Sequence, residues 1–222
     1  MQLISVFDVI GPNMIGPSSS HTAGALRIAL MARKIVDKPI KDVTFILYGS
    51  FARTYHGHGT DRALLAGILG YDTEDKRIRE SFRYAQEAGI TFRFQPDTQE
   101  TDVHPNTARI LITDADGDLH NIMGESVGGG KARIREVDGL EVDINGDMPT
   151  MIIVHHDEPG VIARITDRLY LENINIAFID LSRKNRNGEA VVVMELDSPV
   201  EEDVIRRLKK VPAVRKVIML EF

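Results

Sequence analysis

The sequence predicts an α+β chain built as two domains, and three observations carry that prediction. A strand, a glycine-bearing loop and a helix follow one another twice before Tyr71. From Thr150 onward the pattern reads strand, helix, strand, strand, helix, strand. Between these stretches, turn formers cluster at Asn145-Gly146-Asp147-Met148-Pro149. A chain of 222 residues suits one domain of ~100–150 residues with a smaller one behind it, so the expected division is 1–146 and 147–222.

A first strand is expected around Ile4–Asp8, then a Gly/Pro/Ser-rich loop from Gly11 to Thr22 and an alanine-rich helix over Ala23–Val36. The β-branched and aromatic run Val43–Tyr48 reads as a buried strand. It leads into a second loop, Gly49 to Gly59, after which Thr60-Asp61 opens a helix that Gly70 stops. Glu74–Ala88 is expected to be helical and Ile90–Phe94 extended, followed by the turn-prone segment Pro96–Val103. Thr107–Asp114 and Leu119–Glu125 flank Asp116-Gly117, a hairpin signal. Beyond Gly128–Gly130 come two short strands, Ala132–Val137 and Leu140–Ile144.

In the second domain Thr150–His155 is a strand, Pro159–Glu172 a helix with Val161, Ile165 and Leu169 on one face, and Ile174–Ser182 a strand. Arg186-Asn187-Gly188 turns the chain into Ala190–Leu196. Ser198-Pro199-Val200-Glu201 reads as a capping box with proline at the first helical position, so a second helix is expected to start there. Val214–Glu221 is the final strand. The order βαββαβ packs two helices on one face of an antiparallel sheet.

Composition removes several classes of function. Hydrophobic residues at 43% and charged residues at 27% are ordinary for a globular protein. A net charge of -6 and a pI near 5.7 argue against a nucleic-acid partner, which calls for a clustered basic surface. Met1–Asp8 has no basic leader and Asp8 interrupts its apolar run; no stretch reaches the ~20 apolar residues of a membrane span. A soluble, cytoplasmic protein is expected, with no membrane partner. The chain has no cysteine, which excludes disulfides, thiol nucleophiles and thiolate metal ligands.

Two loops hold the chemistry of the first domain. Gly16-Pro17-Ser18-Ser19-Ser20-His21-Thr22 precedes a helix, where free backbone N–H groups and hydroxyls make a site for a carboxylate or phosphate; a helix N-cap with surplus serines is the plainer alternative. Tyr55-His56-Gly57-His58-Gly59-Thr60-Asp61 also lies at a helix start, with glycines that admit a close ligand and histidines suited to proton transfer near neutral pH. Metal ligation by His56 and His58, completed by His104 or Asp61, ranks below proton transfer, and exposed loop histidines are the third possibility. No metal is assigned to this chain.

Ser5-Val6-Phe7-Asp8, the Gly-Pro-Ser-Ser-Ser-His-Thr run, Leu47-Tyr48-Gly49-Ser50, Gly57-His58-Gly59-Thr60-Asp61, His104-Pro105-Asn106 and Ser126-Val127-Gly128-Gly129-Gly130, taken in this order, resemble the beta subunit of the bacterial iron–sulfur-dependent L-serine dehydratases. The resemblance covers essentially the whole chain. It implies conversion of L-serine to pyruvate and ammonia, in partnership with an alpha subunit that ligates a [4Fe–4S] cluster. It also implies that His21 and His58 are catalytic and that Ser18, Ser19, Ser20, Thr22 and Thr60 hold the substrate carboxylate. In fused relatives this region resembles an allosteric-substrate-binding domain, so a non-catalytic, amino-acid-sensing regulatory subunit is the competing expectation.

The C-terminal unit resembles an ACT domain of ferredoxin-like βαββαβ fold, a kind of domain that commonly pairs side by side and binds amino acids at the pair interface. A homodimer through this domain is therefore expected. The implied effector residues are His155, Asp157, Gly160, Val161 and Asn175, with Gly160 opening a helix whose start favours a carboxylate. Asp157 stands where similar serine-sensing domains have asparagine, and a ligand-free dimerisation module is the alternative.

Overall fold

The structure is a computed structural model that describes residues 13–100 and 102–221. The strand expected around Ile4–Asp8 lies outside the described residues. Contacts within the chain divide it into two compact units, one up to Asp138 and one from Gly139.

In the first unit the chain enters its first helix through a π-helical segment, Ser19–Gly24, which continues into α1, Ala25–Val36. The expected loop through Thr22 is thus shorter than its composition suggests. Ser18 caps the segment by accepting from the His21 backbone N–H, while burial of Thr22, Ala23 and Gly24 draws the chain inward. Its carbonyl accepts from the N–H groups of both Thr22 and Ala23 at 2.9 and 3.4 Å, which widens the turn.

Strand β1, Ile40–Tyr48, follows as expected, but half of the second predicted loop is a short helix, α2, Gly49–Thr54. The cause is distant in sequence: the N–H groups of Ser50 and Phe51 both donate to the Pro105 carbonyl, at 2.7 and 3.3 Å, and Phe51 and Ala52 are buried. Helix α3, Thr60–Ile68, packs on α1 so closely that a Cβ on Gly67 would lie 2.4 Å from the Leu26 carbonyl oxygen. A 3-10 turn, Lys76–Glu80, and α4, Ser81–Glu87, lead to β2, Thr91–Asp97. Pro96, expected to begin a turn, lies inside this strand instead, because β2 is a sheet edge with room for a residue that lacks an N–H.

The hairpin is β3, Thr107–Asp114, with β4, Leu119–Gly128, followed by β5, Lys131–Val137. These strands run in the order β2-β1-β3-β4-β5, with β1 parallel to β2 and antiparallel to β3. Phe45, Leu47, Ile110, Ile112, Ile122 and Ile134 lie on the buried sheet, and α1 packs on β3, β4 and β5.

The second unit begins with β6, Leu140–Ile144, and continues with β7, Thr150–His156, and α5, Val161–Leu171. Strands β8, Ile176–Arg183, and β9, Glu189–Leu196, precede α6, Glu202–Leu208, and β10, Val214–Leu220. The sheet order β10-β7-β9-β8 is antiparallel throughout and gives the expected βαββαβ unit. Val161, Ile165 and Leu169 pack into its core with Val204 and Leu208 of α6.

Helix α6 does not begin at the Ser198-Pro199 capping box. Val200 is buried in the core and holds that segment extended, so the helix starts after Glu201 with no side-chain cap. Glu202 and Asp203 in its first turn complement the helix dipole instead.

Candidate functional site

The site in the first unit is assembled from the π-helical segment, the loop 56–59 and Ser50 in the first turn of α2. The rings of His21 and His58 lie with centroids 4.7 Å apart, and Phe51 meets the His21 ring edge-on at 5.3 Å. The Thr22 hydroxyl donates to the His58 carbonyl at 3.0 Å and ties the two segments together. His21 has both ring nitrogens engaged: Nδ1 with Ser20 Oγ at 3.0 Å and Nε2 with Ser50 Oγ at 2.9 Å. Burial, then the neighbouring His58, lower its pKa below the ordinary histidine value.

An open cavity of about 510 Å³ has His58 of this pair on its wall and is lined also by Gly16, Thr22, His56, Arg62 and Phe82 among others. Of the predicted substrate-holding residues, Thr22 is on its wall. Ser18, Ser19 and Ser20 are half-buried beside His21, and Thr60 is fully buried beneath the loop. The His58 Nδ1 and Thr60 Oγ1 atoms are buried without a hydrogen-bond partner in the chain. Such atoms are uncommon in native interiors and mark places where a further group completes the bonding.

Two pairings were not legible beforehand. Ser50, which bonds His21, is 29 residues from it in sequence. His56 Nδ1 donates to the buried Asp61 carboxylate at 2.8 Å. Among the described residues the set of possible ligands gathered within 4.8 Å is Asp114, Asp116 and Asp118, away from these histidines. The Lys38 ammonium sits among them at 3.2, 2.9 and 2.9 Å. His104 is spent locally, accepting from the Asn106 N–H at 3.2 Å.

In the second unit His155, next to last in β7, has 1% exposure; Nδ1 contacts the His156 carbonyl at 2.8 Å and Nε2 has no partner in the chain. Gly160 precedes α5 with a φ of 87°, and Val161 turns its side chain into the core. Asp157 accepts from Arg183 Nη1 at 2.7 Å and from the Asn187 N–H at 3.2 Å. The Arg183 hydrogen bond, outweighing burial, lowers its pKa. The Asn175 amide donates to Asp197 at 2.8 Å. Of the predicted effector side chains, His155 is thus the one that keeps an uncommitted buried polar atom.

Residues 5–137 match the family model described as serine dehydratase beta chain, and residues 150–213 match the ACT domain. The chain is 41% identical over 217 residues to a protein of Bacillus subtilis named probable L-serine dehydratase, beta chain, covering 98% of each. It is 37% identical to the L-serine dehydratase beta chain of Peptoniphilus asaccharolyticus, covering 90% of each. A more distant likeness, 26% identity over 88% of this chain, reaches 37% of the D-3-phosphoglycerate dehydrogenase of Bacillus subtilis.

Proposed function

The chain belongs to the serine dehydratase beta-chain family, with an ACT domain at its C-terminal end, and from that premise we propose that it forms half of an enzyme converting L-serine to pyruvate and ammonia. The observation that carries this reading is the pairing of His21 with His58, rings 4.7 Å apart, with His58 on the wall of a cavity large enough for an amino acid.

The reaction needs a base for the Cα proton and an acid or Lewis acid for the departing β-hydroxyl. His58 lies on the cavity wall and is the histidine placed to meet substrate. His21 sits behind it, bonded through both ring nitrogens. The Thr22 hydroxyl is spent on the His58 carbonyl, which leaves the hydroxyls of Ser18, Ser19 and Ser20 beside His21 as the groups for the carboxylate.

With no cysteine, the chain does not fit a [4Fe–4S] cluster of its own. The cluster and its ligands belong to the alpha partner, in the cytoplasm. The ACT domain binds an amino acid at the start of α5, where the free His155 Nε2 is the polar contact.

The test is to mix the purified chain anaerobically with its cluster-bearing partner and measure pyruvate from L-serine. Activity is expected only in the mixture, and His58→Ala should lose at least about 100-fold in kcat. A second reading, a non-catalytic sensing subunit, draws on the phosphoglycerate dehydrogenase likeness: a segment shared by proteins named for different reactions suits a regulatory module. Normal turnover in His58→Ala would select it.

A further inference from the structure

A third histidine, His56, lies on the wall of the same cavity. We propose that it is a second catalytic residue, which gives the departing β-oxygen of the substrate the proton that turns it into water, and that Asp61 is its positioning residue. The proposal rests on the reading given above and takes His58 as the group that removes the Cα proton.

The turn between them brings His56 and Asp61 together. Gly59 takes a φ of 67°, and the Thr60 N–H donates to the Tyr55 carbonyl at 2.8 Å, which folds residues 56–59 back on the first turn of α3. Asp61 is 4% exposed, and both its oxygens are engaged: one accepts from the Arg62 N–H at 2.7 Å, the other from His56 Nδ1 at 2.8 Å. The Tyr55 ring meets the His56 ring with centroids 3.9 Å apart, so the imidazole is held at one edge and on one face.

The partner decides which nitrogen works. A carboxylate has acceptors only, so Nδ1 is the donor whether the ring is neutral or protonated. Nε2 is then the atom that gains and loses a proton, the arrangement an orienting carboxylate gives in acid–base sites. It has no hydrogen-bond partner among the described residues. The His56 side chain is 74% exposed, and with Gly57 alone between them His56 and His58 line one cavity.

Dehydration calls for two such groups. The Cα–H bond breaks and its proton goes to His58, while the electron pair left on Cα forms the Cα=Cβ bond. The Cβ–O bond breaks with its pair on oxygen, which takes the proton from His56 Nε2 and leaves as water. The remaining enamine takes a proton at Cβ to become an imine, and water adds to release pyruvate and ammonia. His58 ends protonated and His56 neutral, so exchange of one proton each with solvent resets the site.

The experiment compares L-serine with β-chloro-L-alanine, whose chloride leaves without a proton, in the assembled enzyme. His56→Gln should lower kcat for L-serine about 100-fold at little changed KM, and kcat for the chloride substrate by no more than about threefold. His58→Ala should lose both. L-serine deuterated at Cα gives a second readout that needs no chloride turnover: His56→Gln should release deuterium to water in excess of the pyruvate it forms. Nitrogen-15 spectra of the full chain should show neutral His56 with its proton on Nδ1 alone. Asp61→Asn, whose amide can also donate, should show both tautomers, with kcat for L-serine lowered about tenfold, a part of what an acid–base group supplies.

Unchanged kcat for L-serine in His56→Gln, equal losses on the two substrates, or no excess release of deuterium overturns the proposal and leaves His58 in place. A single Nδ1–H tautomer retained in Asp61→Asn overturns the role of Asp61. Normal turnover in His58→Ala overturns the reading beneath the proposal, so the two failures are separable.

Discussion

The hydroxyl of Thr22 donates to the backbone carbonyl of His58 at 3.0 Å, and Thr22 itself is almost wholly buried. That bond sets the spacing of the two histidine segments. Thr22→Val keeps the shape, loses the donor and leaves a carbonyl without its partner, at a cost of about 1–3 kcal/mol. Urea unfolding should show this loss with an unchanged m-value, and Thr22→Ser should recover most of it. Valine and threonine variants of equal stability would show that the bond contributes nothing.

His21 should titrate below the ordinary histidine value, and its two causes can be separated. Burial is the larger and His58 the smaller. In His58→Ala the pKa of His21 should rise only part of the way back, as followed by its Cε1 proton resonance. The sign for stability follows from linkage: the folded pKa is depressed, so the unfolded chain takes the proton first. Stability contributed by neutral His21 is present above the unfolded value near ~6.5 and is lost as pH falls through the folded value. His21→Gln should remove that component of the acid limb; an unchanged limb would assign it to other groups.

The α+β class and the second unit were legible because their signals are local and periodic. Val161, Ile165 and Leu169 recur at helical spacing, and all three are buried. The two histidine loops were legible for a similar reason, each being a glycine-rich turn before a helix. What escaped notice depends on residues far apart. Helix α2 exists because Pro105 supplies an acceptor for Ser50 and Phe51, and no pattern within 49–54 announces it. At Ser198-Pro199 a strong local signal lost to the burial of Val200.

Asp114 holds the β3–β4 hairpin shut. The Asp116-Gly117 turn was readable, but the staple beneath it was not. Burial alone would push the Asp114 carboxyl up; hydrogen bonds from His120, the Asp118 amide, Lys38 and the Asp116 amide outweigh it and hold the pKa well below the usual carboxylate range. The ionised form therefore stabilises the fold above the unfolded value near ~3.9, and that contribution is lost as pH falls through the folded value. Asp114→Asn should lower the urea midpoint at pH 7 and narrow the difference between pH 7 and pH 3. Parallel pH profiles for the two proteins would refute the staple.

His155 should decide whether the second unit senses an amino acid. A ligand that binds only the folded state stabilises it by ~2.7 kcal/mol at about 100-fold above Kd. L-serine should therefore raise the melting temperature more than D-serine does. His155→Leu, which removes the unpartnered Nε2, should cancel the part of the shift that belongs to this unit. A full L-serine shift in that variant would assign binding to the first unit alone.

Strand β8 is the edge on which pairing of two copies is expected. It is an edge of the second sheet, and Phe178, Ile179 and Leu181 on it are 49%, 44% and 49% exposed. An edge that offers both free backbone groups and large apolar side chains invites association unless something covers it. The βαββαβ unit supplies a matching cover in a second copy, since two β8 edges related by a twofold axis present the same residues to each other. We expect a dimer by analytical ultracentrifugation at micromolar concentration. A charge on this edge would be desolvated in the pair but not in the free chain, so Phe178→Glu should shift the population toward monomer while leaving the circular dichroism spectrum unchanged. A wild-type monomer, or a glutamate variant that dimerises as wild type does, would place the contact elsewhere.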